Sequence, residues 1–195
     1  MVPYDSRPRI HPAPALGNDH IWDIIFCRNV VISPLGMIEE TSALWRYLAP
    51  DMRALVRDGE FLIEDSLRHR DLPPTDFSYL VFPFAKLYEG FLKKLFLDVG
   101  ILAQSDYTSD HFRIGKALSP NMARLLGERS AYKQISDRYG VELAARLWHT
   151  WKEGRNLVFH YFPHNYRSLT RVQAVEIVNQ LVGTMYEAVL ILAPK

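Results

Sequence analysis

Cysteine occurs once in the chain, at Cys27. A lone thiol excludes an intramolecular disulfide and a cysteine-built zinc site, and it fits the reducing cytoplasm. Net charge is nearly absent as well: sixteen arginines and seven lysines stand against 22 acidic residues, leaving +1. A chain so close to neutral has no global field to gather nucleic acid, so any phosphate binding has to come from a local cluster. Long apolar runs are the third shortage. No segment reads as long and apolar enough to cross a bilayer, so no membrane association is expected. Arg7 and Arg9 precede an apolar stretch from Ile21 to Ile32, but Asp23, Arg28 and Asn29 interrupt it. With Pro3, Pro8, Pro12 and Pro14 also in the first fourteen residues, a signal peptide is not expected.

What is present is ordinary globular material. At 195 residues, 48% hydrophobic and 23% charged, the chain can bury one sizeable core, with or without an N-terminal elaboration. Residues 1–19 read as an extended arm. Residues 21–32 are undecided between a short helix and a buried strand, and Ser33-Pro34-Leu35-Gly36 is a turn. Met37–Leu48 and Met52–Val56 are expected to be helical on either side of Pro50, followed by a further turn over Phe61–Leu67 that ends in Arg68-His69-Arg70 and Pro73-Pro74. The composition changes after Pro74. Residues 1–74 are therefore read as an arm and helical extension, and 75–195 as the functional bundle.

In that bundle Asp76 is expected to cap a helix running to about Val99, with Pro83 tolerated if the true start is near it. Leu80, Phe84, Tyr88, Phe91, Leu95 and Val99 form its apolar stripe, widened by Ala85, Leu92 and Phe96, with Lys86, Lys93 and Lys94 on the far side. Glu89 sits at the stripe's edge, either in a pair with Lys86 or Lys93 or held by another cation. After Gly100, a polar connection from Ser105 to Pro120 carries Arg113, a flexible Gly115 and Lys116, which could wrap a phosphate but lack phosphate-loop spacing. Asn121–Leu126 and Val141–Lys152 read as helices, the second turning Leu143, Leu147, Trp148 and Trp151 inward. His149 reads as a packed or surface residue. Thr170 with Gln173 makes a capping box for a final helix whose Val172, Val175, Val178, Val182, Met185, Val189 and Leu192 recur at helical spacing. Long helices without convincing strand pairs predict an all-α, up-and-down bundle.

One stretch carries chemistry: Arg155-Asn156-Leu157-Val158-Phe159-His160, ahead of the turn Phe162-Pro163-His164-Asn165. An arginine supplies a fixed cation with several donors for a phosphate, and an imidazole exchanges protons near neutral pH, as phosphodiester cleavage requires. Residues five apart lie about 140° apart on an ideal helix. The two side chains meet only if the helix loosens between them or a ligand bridges them, and Gly154 and Pro163 suggest such a break. The spacing is not specific by itself: sixteen arginines and seven histidines produce about half a hit by chance.

An α-helical bundle with Arg-Asn, three residues and His before its final helix resembles the HEPN superfamily of metal-independent ribonucleases. The run Tyr79–Phe96, with Phe112–Leu118 and Arg155-Asn156 to His160-Tyr161-Phe162-Pro163, is similar to the C-terminal HEPN domain of RNase LS toxins of the RnlA/LsoA type. The similarity covers roughly residues 75–192. A different, shorter segment stands where those toxins carry further N-terminal domains. Phe162 occupies the place where some HEPN toxins carry a tyrosine open to modification. The resemblance implies a HEPN-like bundle, cleavage of RNA without metal or other cofactor, and catalytic roles for Arg155, His160 and Glu89. Asn156, Lys93, Arg113 and Lys116 are the expected substrate-binding residues, and Glu89 is expected to pair with Arg155. It also implies a cytoplasmic homodimer, since one histidine does not readily serve as acid and base together, and a possible antitoxin protein as partner. A non-catalytic nucleotide- or RNA-binding module, or a structural or regulatory partner protein, are the alternatives.

Overall fold

The computed structural model describes residues 37–68, 73–160 and 168–194. The N-terminal arm, the 21–32 segment, the turn at 33–36, His69 and Arg70, and the turn at 162–165 with Pro163 lie outside the described residues. The elements are α1 (Ala43–Tyr47), α2 (Pro50–Arg68), a 3₁₀ turn (Ser78–Leu80), α3 (Phe82–Asp98), α4 (Gln104–Tyr107), α5 (Ile114–Leu118), α6 (Ala123–Leu126), α7 (Ala131–Tyr139), α8 (Val141–Trp151), a π turn (Lys152–Asn156), α9 (Leu157–Phe159) and α10 (Arg171–Leu192). No strand occurs among the described residues. The fold is an all-α helical bundle.

α3 is the hub. Leu80, Phe84, Tyr88, Phe91 and Leu95 are fully buried, as are Ala85, Leu92 and Phe96, and α2 and α10 pack against this helix. Each such large apolar side chain contributes on the order of 1.5–3 kcal/mol by leaving water. Polar contacts set the register of the inner layer: the Tyr88 hydroxyl donates to the Leu147 carbonyl at 3.1 Å, and the Thr150 and Thr184 hydroxyls meet at 3.0 Å between α8 and α10. Burial above all, with the Glu187 charge adding, pushes the Tyr88 phenol well above its usual range, so it stays a neutral donor. Arg146 of α8 pairs with Glu187 of α10 at 3.1 Å.

Several expectations need correction. Met37–Leu48 is helical only over α1, whose Ser42 hydroxyl caps the Trp45 amide at 3.1 Å. The two helical pieces expected over 52–67 are one helix, α2, with Pro50 as its first residue. Gly59 does not break it, because the position is occupied by close packing: a β-carbon there would stand 2.3 Å from the Phe84 ring. Leu44, Leu48, Met52, Val56 and Ile63 share one core with α3 and α10, and the described residues from Met37 onward belong to one compact unit.

Asp76 does not cap α3. Its carboxylate accepts from the Ser78 amide (2.9 Å) and hydroxyl (2.6 Å) and from the Leu169 amide (3.0 Å), tying the 3₁₀ turn to the entrance of α10. α3 starts beside Pro83. At its end Gly100 takes φ +68°, and the Ile101 and Leu102 amides return to the Phe96 carbonyl, the turn-back that a left-handed residue permits.

The connection 105–120 is not simply solvated, since it folds into α4 and α5, and Ile114, Gly115, Ala117 and Leu118 are buried. α7 was not anticipated: Ser130 caps it at the Lys133 amide and Gly140, at φ +99°, ends it. The capping box at Thr170 and Gln173 is present, but Val172 faces out at 64% exposure. α10 is also long and apolar enough to meet the length and composition of a membrane span, contrary to expectation. Ten of its residues are buried within the bundle, and that burial accounts for its apolarity.

Candidate functional site

The helix that carries Arg155 loosens where the two motif residues require it to. α8 passes directly into the π turn Lys152–Asn156, where a wider turn shifts the register of everything after it. α9 adds three residues, and the chain leaves the helix at His160, which is extended at φ −100°, ψ 130°. Arg155 and His160, about 140° apart on an unbroken helix, thereby line one groove. Gly154 serves this arrangement differently from expectation. It is buried and helical, and an added β-carbon would stand 2.8 Å from Leu181 Cδ2. Its role is to let the π turn approach α10.

The groove, of about 650 Å³, lies between α2, α3 and residues 155–160, with Asp51, Met52, Leu55, Phe82, Ala85, Lys86, Glu89, Gly90, Lys93, Arg155, Phe159 and His160 around it. Glu89 Oε2 lies 2.7 Å from Arg155 Nε in an ion pair whose carboxylate side chain is 23% and arginine side chain 39% exposed. The same guanidinium lies over the Trp151 ring, 5.7 Å from its centroid. Trp151 is itself stacked on Trp148 at 5.6 Å. A carboxylate on one side and an indole on the other fix the arginine, whose guanidinium carries several donors suited to a phosphate. His160 is exposed at the groove's mouth.

The expected site residues divide into three. Glu89, Lys93, Arg155 and His160 come together in this groove. Arg113 and Lys116 line a different hollow of about 420 Å³ with Asp106, His111, Glu128 and Arg129. There Arg113 Nη1 donates to the Asp110 and Phe112 carbonyls at 2.6 and 3.3 Å. Gly115 is not a flexible hinge: it is buried, and a β-carbon on it would stand 2.2 Å from Trp151 Cη2. Asn156 is half-buried in the π turn and lines neither hollow. His149 is exposed on α8.

Phe82, Phe159, Lys86 and Asp51 were not anticipated as groove residues. A usable signal existed for Lys86 and Lys93, which follow Phe82 with Glu89 at helical spacing (82, 86, 89, 93) on the side of α3 away from its core stripe. That side faces a groove because α2 and residues 155–160 rise beside it. Among the described residues no group of three or more histidine, cysteine, aspartate or glutamate side chains could hold a metal ion.

The fold and site thus define an all-α bundle with an arginine, a glutamate and a histidine at one groove. Comparison of the chain with protein-family models, characterised proteins and solved structures returns no match.

Proposed function

We propose that this chain is a metal-independent endoribonuclease of the HEPN kind that cleaves single-stranded RNA. The observation that supports it most is the convergence of Arg155 and His160 on one groove through a π turn, with Glu89 ion-paired to Arg155. In this reading His160 takes the proton of a ribose 2′-hydroxyl as that oxygen bonds to phosphorus. Arg155 neutralises the charge that gathers on the phosphoryl oxygens, and Glu89 holds Arg155 in place. The bond from phosphorus to the 5′-oxygen breaks, leaving a 2′,3′-cyclic phosphate and a 5′-hydroxyl. The leaving oxygen needs a proton. A second copy of the chain, its own His160 facing the same cleft across a two-fold axis, would supply it, which makes the active form a homodimer. A role as a toxin or phage-defence nuclease in the cytoplasm, held in check by an antitoxin protein, is the biological setting we propose.

Incubation with single-stranded RNA in EDTA tests the reading. Cleavage that survives chelation and leaves cyclic-phosphate ends is expected. Stoichiometric binding without cleavage would replace it with a nucleotide- or RNA-binding module, and absence of both with a structural or regulatory protein. The dimeric site has its own test. An excess of His160→Ala chain mixed with wild type, under conditions of subunit exchange, should depress activity more steeply than dilution alone. A linear loss, or a fully active monomer, would count against it.

A further inference from the structure

Phe82 and Phe159 are large aromatic side chains left 56% and 40% exposed at the edge of the groove. Their rings meet edge to face, 5.7 Å between centroids at 82°, an arrangement that leaves ring faces uncovered by the partner ring. They come from different elements, the first residue of α3 and the last of α9. Each lies four residues from a groove cation on its own segment, Phe82 from Lys86 and Phe159 from Arg155. Along α3 that separation is about 6 Å. Beneath them Met52 and Ala85 are buried and Leu55 half-buried, so the floor is apolar.

A flat apolar group joined to an anion matches this pairing of aromatic with cation, and a nucleotide is such a ligand. Three cations (Lys86, Lys93, Arg155) stand against two carboxylates (Asp51, Glu89) in the groove, and one of those carboxylates is already ion-paired with Arg155. The groove's volume of about 650 Å³ is within the range of small-ligand sites, roughly 300–1,000 Å³.

From this we infer that the Phe82/Phe159 edge is a base-stacking subsite, holding one unpaired nucleobase of the RNA while Lys86 and Arg155 take the flanking phosphates. The inference rests on RNA being the ligand of the groove, as proposed above, but not on its being cut. Stacking on phenylalanine is tolerant of base identity, so the subsite demands an unstacked base and thereby excludes duplex RNA.

The test uses the full chain and a ten-nucleotide 2′-O-methyl RNA, which lacks the nucleophile for cleavage, made abasic at each position in turn. Wild type should bind the intact oligomer and lose about tenfold or more in affinity when one particular base is removed. In the Phe82→Leu/Phe159→Leu chain, which keeps apolar volume but not the rings, intact and abasic oligomers should bind within about twofold of each other. Equal binding of all abasic oligomers by wild type, a measurement independent of how the variant folds, would overturn the inference. So would absence of binding, or a variant changed only in self-association. Cleavage of unmodified RNA is scored separately. Cleavage without base dependence removes the subsite and leaves the ribonuclease, whereas base-dependent binding without cleavage keeps the subsite and removes the ribonuclease.

Discussion

Two hollows among the described residues are lined by arginine and lysine, yet they are built in opposite ways. The hollow around Arg113 and Lys116 is made entirely from residues 101–129. Its two arginines have partners within that stretch: Arg113 donates to carbonyls one and three residues away, and Arg129 lies 3.8 Å from Asp106. The groove draws on residues 51–55, 82–93 and 155–160, and Arg155 is held by Glu89, 66 positions earlier in the chain. Cations held by carbonyls and a carboxylate of their own stretch direct their donors back into it. A cation fixed by a distant helix is aimed by the fold and keeps donors for a ligand.

That contrast is broken most directly by truncating each set. His160→Ala and Arg155→Ala should each lower RNA cleavage by about 10²- to 10⁴-fold while the thermal transition remains. Arg113→Ala and Lys116→Ala should change it by less than about threefold, as expected of contacts in which exposed charges are worth little. Wild-type turnover in either motif variant would refute the catalytic assignment, and loss of the folded transition in both would favour a structural role.

A second test moves the groove without touching its charges. Gly154→Ala places a methyl group 2.8 Å from Leu181 Cδ2, and overpacking of this kind costs about 1–3 kcal/mol. We expect a lower melting temperature together with reduced cleavage, because the π turn that carries Arg155 must shift. Gly115→Ala, which would crowd the Trp151 indole at 2.2 Å, should cost stability on the same scale.

Glu89→Gln sharpens the role of the distant partner. It removes the charge that holds Arg155 but keeps the shape, so cleavage should fall about tenfold while stability drops by no more than about 1 kcal/mol, the pair being partly exposed. No change in cleavage would mean that Arg155 does not depend on Glu89.

The smallest expected effect separates fold from site. Burial raises the Asp76 carboxyl pKa, but the Ser78 hydroxyl and the Leu169 and Ser78 amides outweigh it, and the net pKa is lowered. A depressed pKa stabilises the fold above the unfolded value near ~3.9, and that contribution is lost as pH falls through the lower folded value. Asp76→Asn should therefore cost about 1 kcal/mol at neutral pH, converge on wild type in acid, and leave cleavage at pH 7 unchanged. A constant difference across pH would show that the charge is not what matters there.

Much of the bundle was legible because helices announce themselves locally. The Thr170/Gln173 capping box, the Leu80–Leu95 stripe and the stop at Gly100 are short-range signals, and the structure follows them. Glycines misled for the same reason. Gly115 and Gly154 read as a hinge and a break from sequence, whereas each is a point of close approach to a side chain on another element, Trp151 and Leu181, as Gly59 is to Phe84. Ser130 and Gly140 bracket α7 clearly enough that its absence from the expected helices was a missed local signal.

By itself, the sequence determined the helical class, the ends of the longest helices at Gly100 and Thr170, and the candidate residues Glu89, Arg155 and His160, since caps, periodicity and residue chemistry are properties of neighbouring positions. Tertiary structure decided which cations share a groove, that Arg155 pairs with Glu89 and not Glu89 with Lys86 or Lys93, and that Phe82 and Phe159 meet at its edge. It decided these because a register shift at one π turn and the packing of α2 beside α3 bring together residues with no local relation.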